Sequence, residues 1–65
     1  MSKGEFISQY KYRGKTIKEW ELESKNAKGL DENGNPNWWE PQANATYGLT
    51  FARLFYENQN KDDSN

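Results

Sequence analysis

The chain has 65 residues, ten of them Phe, Trp or Tyr, with a net charge of −1, one Met, and neither His nor Cys. This length bounds it to one small domain, read as 1–65 with frayed ends at 1–4 and 58–65. The composition excludes a disulfide scaffold, a Cys/His metal centre and the usual Ser–His or Cys–His catalytic pairs.

Apolar residues make up only 32% of the chain, so the core must draw on Phe6, Ile7, Ile17, Trp20, Leu22 and the aromatic second half. Large aromatics bury roughly 150–250 Å² each and compensate for scarce aliphatics. The near-neutral total hides an asymmetry: residues 1–28 carry seven basic and four acidic side chains (+3), and residues 29–65 carry two and six (−4). No apolar run approaches the length of a membrane span, and no signal-peptide core follows Met1, so a cytoplasmic setting is expected. In that setting the glycosylation sequon Asn44-Ala45-Thr46 is read as chance.

In chain order, the first expected element is a β-hairpin over about 5–24. Phe6, Ser8, Tyr10 and Tyr12 alternate with Ile7, Gln9, Lys11 and Arg13. After Gly14, Lys18, Trp20 and Leu22 alternate with Ile17, Glu19, Glu21 and Glu23. An odd loop Tyr12-Arg13-Gly14, with Gly14 in the left-handed position of a G1 bulge, brings the aromatic positions to one face. That register sets Phe6 opposite Trp20, Tyr10 opposite Thr16, Lys11 against Lys15 and Glu5 against Glu21, with Glu19, Glu21 and Glu23 outward.

The middle of the chain reads as an Asn/Gly/Trp-rich loop. Asp31-Glu32-Asn33-Gly34-Asn35-Pro36 is dense turn chemistry, followed by a short extended piece at Trp38-Trp39 that Pro41 closes. On extended backbone adjacent Trp side chains point to opposite faces, one inward and one exposed. Asp31, Asn33, Asn35 and Asn37 imitate the start of a calcium loop. The sixth and twelfth positions hold Pro36 and Gln42 instead of Gly and Glu, so no metal and no cofactor is expected.

A C-terminal helix over about 44–57 is expected next, capped by Asn44, with Tyr47, Phe51, Leu54 and Phe55 facing the hairpin. The fold class is therefore α+β: a hairpin, a loop, and a helix packed on the hairpin. A strand reading of 46–56, which would favour a small β-barrel, is the alternative.

Two local resemblances bear on function. Tyr10-Lys11-Tyr12-Arg13-Gly14-Lys15 resembles the first hairpin of the small chromatin proteins of Sulfolobus, which implies a nucleic-acid surface of Tyr10, Lys11, Tyr12, Arg13 and Lys15. Those proteins are strongly basic and this chain is acidic, so the likeness is confined to the hairpin. Tyr12-Arg13-Gly14-Lys15, a downstream Trp, and Trp38-Trp39 near Pro41 are similar to small chitin-binding modules, with different spacing. In that family tandem Trp forms a sugar-stacking platform.

No cleft holding an acid and a base is expected in so short a chain, so it is read as non-enzymatic. Ten aromatics exceed what a small core hides, and the surplus points to a contact surface at Trp38, Trp39 and Tyr47. The leading expectation is a protein-binding module, such as an accessory or inhibitor protein of a phage or mobile element. Its partner is a protein, with homo-oligomerisation left open. Nucleic acid at the hairpin is the alternative, and carbohydrate at the tandem Trp a second.

Overall fold

Three helices and one two-stranded hairpin make up the fold, seen in a computed structural model that describes residues 2–63. Helix α1 (Lys3–Gln9) starts at Ser2, whose hydroxyl oxygen accepts from the Glu5 backbone N–H at 3.1 Å and donates to the Glu5 carboxylate at 3.0 Å. Strands β1 (Lys11–Tyr12) and β2 (Lys15–Thr16) pair antiparallel, Lys11 with Thr16 and Tyr12 with Lys15. Helix α2 (Ile17–Asn26) follows at once, and after the loop comes α3 (Trp39–Asp63).

The expected hairpin over 5–24 is thus corrected: only its tip is β. The flanks are helical because each begins with a Ser/Thr-x-x-Glu capping signature, Ser2-Lys3-Gly4-Glu5 and Thr16-Ile17-Lys18-Glu19. In the second box the Glu19 N–H donates to the Thr16 hydroxyl at 3.2 Å, and the Glu19 carboxylate accepts from the Thr16 N–H at 3.0 Å. Hydrogen bonding to the carboxyl from the Thr16 backbone N–H first, and from the Thr16 side chain second, holds Glu19 below its usual pKa. Ile17, Trp20 and Ser24 then form the inward stripe of α2 at helical spacing, with the C-cap Ala27 just beyond it. Phe6 and Trp20 are not cross-strand partners, since each sits on a helix. Glu19, Glu21 and Glu23 are all exposed as expected, on a helix and not a strand, and Glu23 pairs with Lys15.

The turn also differs. It is a two-residue Arg13-Gly14 loop with positive φ at both residues, 54° and 86°. Positive φ at both central positions is what a type I′ turn demands, and it matches the twist of the flanking strands. Lys11 accordingly faces Thr16, not Lys15.

The loop reading stands, with detail added. One Asp31 carboxylate oxygen accepts from the Asn33 and Asn35 backbone N–H groups, both at 2.9 Å, and an isolated bridge joins Leu30 to Pro36. The Asn37 amide donates to the Lys28 carbonyl at 2.8 Å. The side chain that began the calcium-like pattern therefore closes its own loop.

Helix α3 covers all of the expected 44–57 and starts five residues earlier, at Trp39. Pro41 fits in the first turn, where its missing N–H has no intrahelical role. Asn44 is consequently not a cap: it is buried within the helix, and its Nδ2 finds no partner among the described residues. Burial also takes the sequon asparagine away from solvent.

The orientation of α3 is the main correction. Its buried residues are Pro41, Asn44, Ala45, Gly48 and Ala52, while Tyr47, Phe51, Leu54 and Phe55 remain exposed. The core is Ile17 with Ala45 and Ala52, onto which Phe6, Ile7, Tyr10, Trp20 and Leu49 pack. Small residues line the seam because the hairpin comes very close. A Cβ on Gly48 would lie 3.1 Å from Tyr12 Cβ and 3.2 Å from Ile17 Cγ1. The sheet has only two strands, so the barrel alternative is set aside. Of the ends expected to fray, residues 1, 64 and 65 lie outside the described residues; Lys3 and Gly4 belong to α1, and α3 runs to Asp63.

Candidate binding surface

The three residues singled out from sequence meet at one place. Trp38, Trp39 and Tyr47 line a groove of about 310 Å³ with Gln42, Ala43 and Thr46, over the first turns of α3. They are 43%, 59% and 54% exposed respectively. Helical backbone brings them together: Trp39, Ala43 and Tyr47 are spaced i, i+4, i+8 and share a side of α3. Trp38 precedes the first turn, and its carbonyl accepts from the Gln42 N–H at 3.2 Å. The same carbonyl accepts from the Ser24 hydroxyl at 2.8 Å, which ties the groove to the C-terminal half of α2. The expectation that one Trp is buried is corrected. Trp39 opens α3 and Trp38 lies in the turn before it, so the two are not on opposite faces of a strand, and both are exposed.

Tyr47 also ends a continuous row of rings. The row runs Tyr56, Phe6, Tyr10, Phe55, Phe51, Tyr12, Tyr47, with successive centroids 5.7, 6.3, 5.8, 6.4, 5.8 and 6.4 Å apart. These separations fall in the favourable range for aromatic pairs. Phe6, Tyr10 and Tyr12 from the N-terminal segment thus lie along the outer flank of α3 without fully covering it. Phe51, Leu54 and Phe55 extend the exposed apolar surface beyond the groove. Sequence reasoning placed these three against a sheet; the i, i+4 relation of Phe51 and Phe55 to Trp39 and Tyr47, with Leu54 three residues on from Phe51, was the signal that they continue the same surface.

The hairpin residues are arranged differently. The Tyr10 and Tyr12 rings are committed to the aromatic row and are half-buried. Lys15 pairs with Glu23, and its Nζ sits 4.7 Å from the centroid of the Trp20 ring. The Trp20 indole N–H in turn donates to the Tyr12 carbonyl at 2.7 Å, bracing the hairpin on α2. The Arg13 guanidinium lies 6.0 Å from the Tyr12 centroid, and Lys11 and Arg13 are exposed.

A larger cleft of about 620 Å³ lies between the end of α2, the loop and the start of α3, lined in part by Trp20, Glu23, Lys28, Asn37 and Glu40. Its rim is charged, and one of its two carboxylates, Glu23, is already paired with Lys15. Among the described residues no group of three or more His, Cys, Asp or Glu side chains is disposed to hold a metal ion. No described helix is long and apolar enough to cross a membrane. No protein-family model matches the chain, and neither a curated protein nor a solved structure matches it.

Proposed function

We propose that this chain is a small, non-enzymatic protein-binding module acting through the aromatic surface centred on Trp38, Trp39 and Tyr47. One observation carries the reading: three large aromatics from two stretches of sequence line a single groove and stay about half exposed. A stable fold gains nothing from leaving them wet, whereas a partner's side chains seated in the groove would remove that surface from water. Trp and Tyr supply this kind of anchoring because they bury much area at little conformational cost. An accessory or inhibitor protein of a phage or mobile element, working in the cytoplasm, suits so small and aromatic-rich a chain.

The test compares Trp38→Ala and Trp39→Ala with Lys11→Ala and Arg13→Ala. Each is checked for folding and assayed against the partner recovered by pull-down and mass spectrometry. Loss of an anchoring Trp is expected to cost about 2 kcal/mol or more in affinity, and loss of a tip charge less. Tip variants that lose binding while folded Trp variants keep it would replace this reading with nucleic-acid binding. Steep salt dependence would accompany that outcome. The engagement of Tyr10 and Tyr12 with α3 argues against the nucleic-acid reading, because it takes from the tip the rings that would stack on bases.

A further inference from the structure

We propose that the partner of this surface is a second copy of the chain, docked antiparallel through α3 about a two-fold axis at Tyr47. The inference rests on the reading of this face as a contact surface and names its occupant.

The first argument is area. The protein exposes 5132 Å² and measures 50 × 18 × 14 Å. A folded monomer of its mass exposes about 4,300 Å² by the usual size scaling. The excess, about 800 Å², equals what one partner contributes to a standard-size interface. The radius of gyration, 14.4 Å, likewise exceeds the roughly 11 Å of a compact domain of this length. Trp39, Tyr47, Phe51, Leu54 and Phe55 are each between 39% and 59% exposed. With aromatics at roughly 150–250 Å² each, they present on the order of 500 Å² of contiguous apolar surface.

The second argument is self-complementarity. Trp39, Ala43, Tyr47, Phe51 and Phe55 follow one another at i, i+4 and form a ridge of the helix surface. Ridges of this kind interdigitate in the commonest helix-packing class, near −50°. With an axis at Tyr47, the small Ala43 of each copy comes to the level of the large Phe51 of the other, and Trp39 to the level of Phe55. Phe51 of each copy therefore enters the gap over the other's Ala43, on either side of the central Tyr47 pair. The reverse, parallel pairing sets Phe51 on Phe51 and Phe55 on Phe55 and leaves Ala43 facing Ala43.

The experiment is sedimentation velocity on the full chain over micromolar to millimolar concentration. A dimer of twice the 7.7 kDa chain mass is expected, with Tyr47→Glu shifting it to monomer while helical circular dichroism is retained. Because the chain has no cysteine, Tyr47→Cys gives an independent arm that does not depend on the Glu variant folding. A short bis-maleimide should link it to itself, and should not link Lys18→Cys on the exposed side of α2. Wild type that stays monomeric throughout overturns the inference. So does a dimer that folded Tyr47→Glu leaves intact, or one in which Lys18→Cys links and Tyr47→Cys does not. A monomeric wild type that still captures another protein, and loses it on Trp38→Ala, leaves the protein-binding reading standing while removing the self-partner.

Discussion

One face of α3, built from Pro41, Ala45, Gly48 and Ala52, is buried against α2 and the hairpin; the adjoining flank, with Trp39, Tyr47, Phe51, Leu54 and Phe55, is exposed. Hydrophobicity by itself would exchange the two. What decides between them is distance: the hairpin and Ile17 lie so near the α3 backbone at Gly48 that nothing larger fits. Close packing rewards shape, and a small residue at a tight seam contributes more than a large one held at arm's length. The large residues are left for a different task, and the aromatic row with Phe6, Tyr10 and Tyr12 covers them only in part.

The comparison can be broken hardest at Ile17, the one large aliphatic buried among the described residues. Ile17→Ala is expected to cost about 2–5 kcal/mol, most of the stability of a marginal domain. Urea titration followed by circular dichroism measures it, and a cost under half a kcal/mol would mean the core lies elsewhere. Gly48→Val is next. The added methyl groups must displace Tyr12 or Ile17, with an expected loss of about 1–3 kcal/mol, despite the better helix propensity of Val over Gly. A thermal melt that rises on this substitution would show that the seam is looser than its 3.1 Å approach implies.

On the outer flank the same kind of cut should matter less. Leu54 is 50% exposed, so Leu54→Ala is expected to cost about 1 kcal/mol, half or less of a fully buried leucine. The ratio of the Ile17 and Leu54 effects, measured in one denaturation series, gauges the asymmetry of the two faces. Equal losses would place Leu54 inside.

The smallest expected effect sharpens how the inner face is presented, since the Thr16–Glu19 box starts the helix that carries Ile17. The Glu19 carboxyl is held below its ordinary value of 4.5 by the Thr16 N–H and hydroxyl. A depressed folded pKa contributes stability that is present above the unfolded value and lost as pH falls through the folded one. Below pH 4.5 the wild type should therefore lose this contribution, and Glu19→Gln should flatten that part of the stability profile. An unchanged acid limb in Glu19→Gln would show that the box adds nothing measurable to α2.

How far the fold was legible depended on which signal was weighed. Alternation in 5–12 and 15–23 reads as two strands, but the same letters carry Ser2-x-x-Glu5 and Thr16-x-x-Glu19, and Ile17, Trp20 and Ser24 are also spaced for a helix. The end caps outweighed the period because Glu, Lys and Leu are ready helix formers and an isolated two-stranded ribbon is marginal in water. A turn at Gly14, though not its two-residue form, and 31–36 as a loop were legible, since each depends on a few adjacent residues. The groove at Trp38, Trp39 and Tyr47 was legible as a surplus of aromatics, though not as a helical surface.

The sequence by itself determined that a turn falls at Gly14, that Asp31 through Pro36 close a loop, and that a helix covers 44–57. It also determined that no cysteine or histidine chemistry is available to this chain. Turns, caps and composition are local, so they are settled by neighbours a few positions apart. Only the tertiary structure decided which side of α3 is inside, that the hairpin's flanks are helices, and that Asn44 is buried. Those outcomes depend on how closely separate elements approach, and that distance is set by the joint shape of Ile17, Tyr12 and Gly48, residues that lie far apart in the chain and meet only once it has folded.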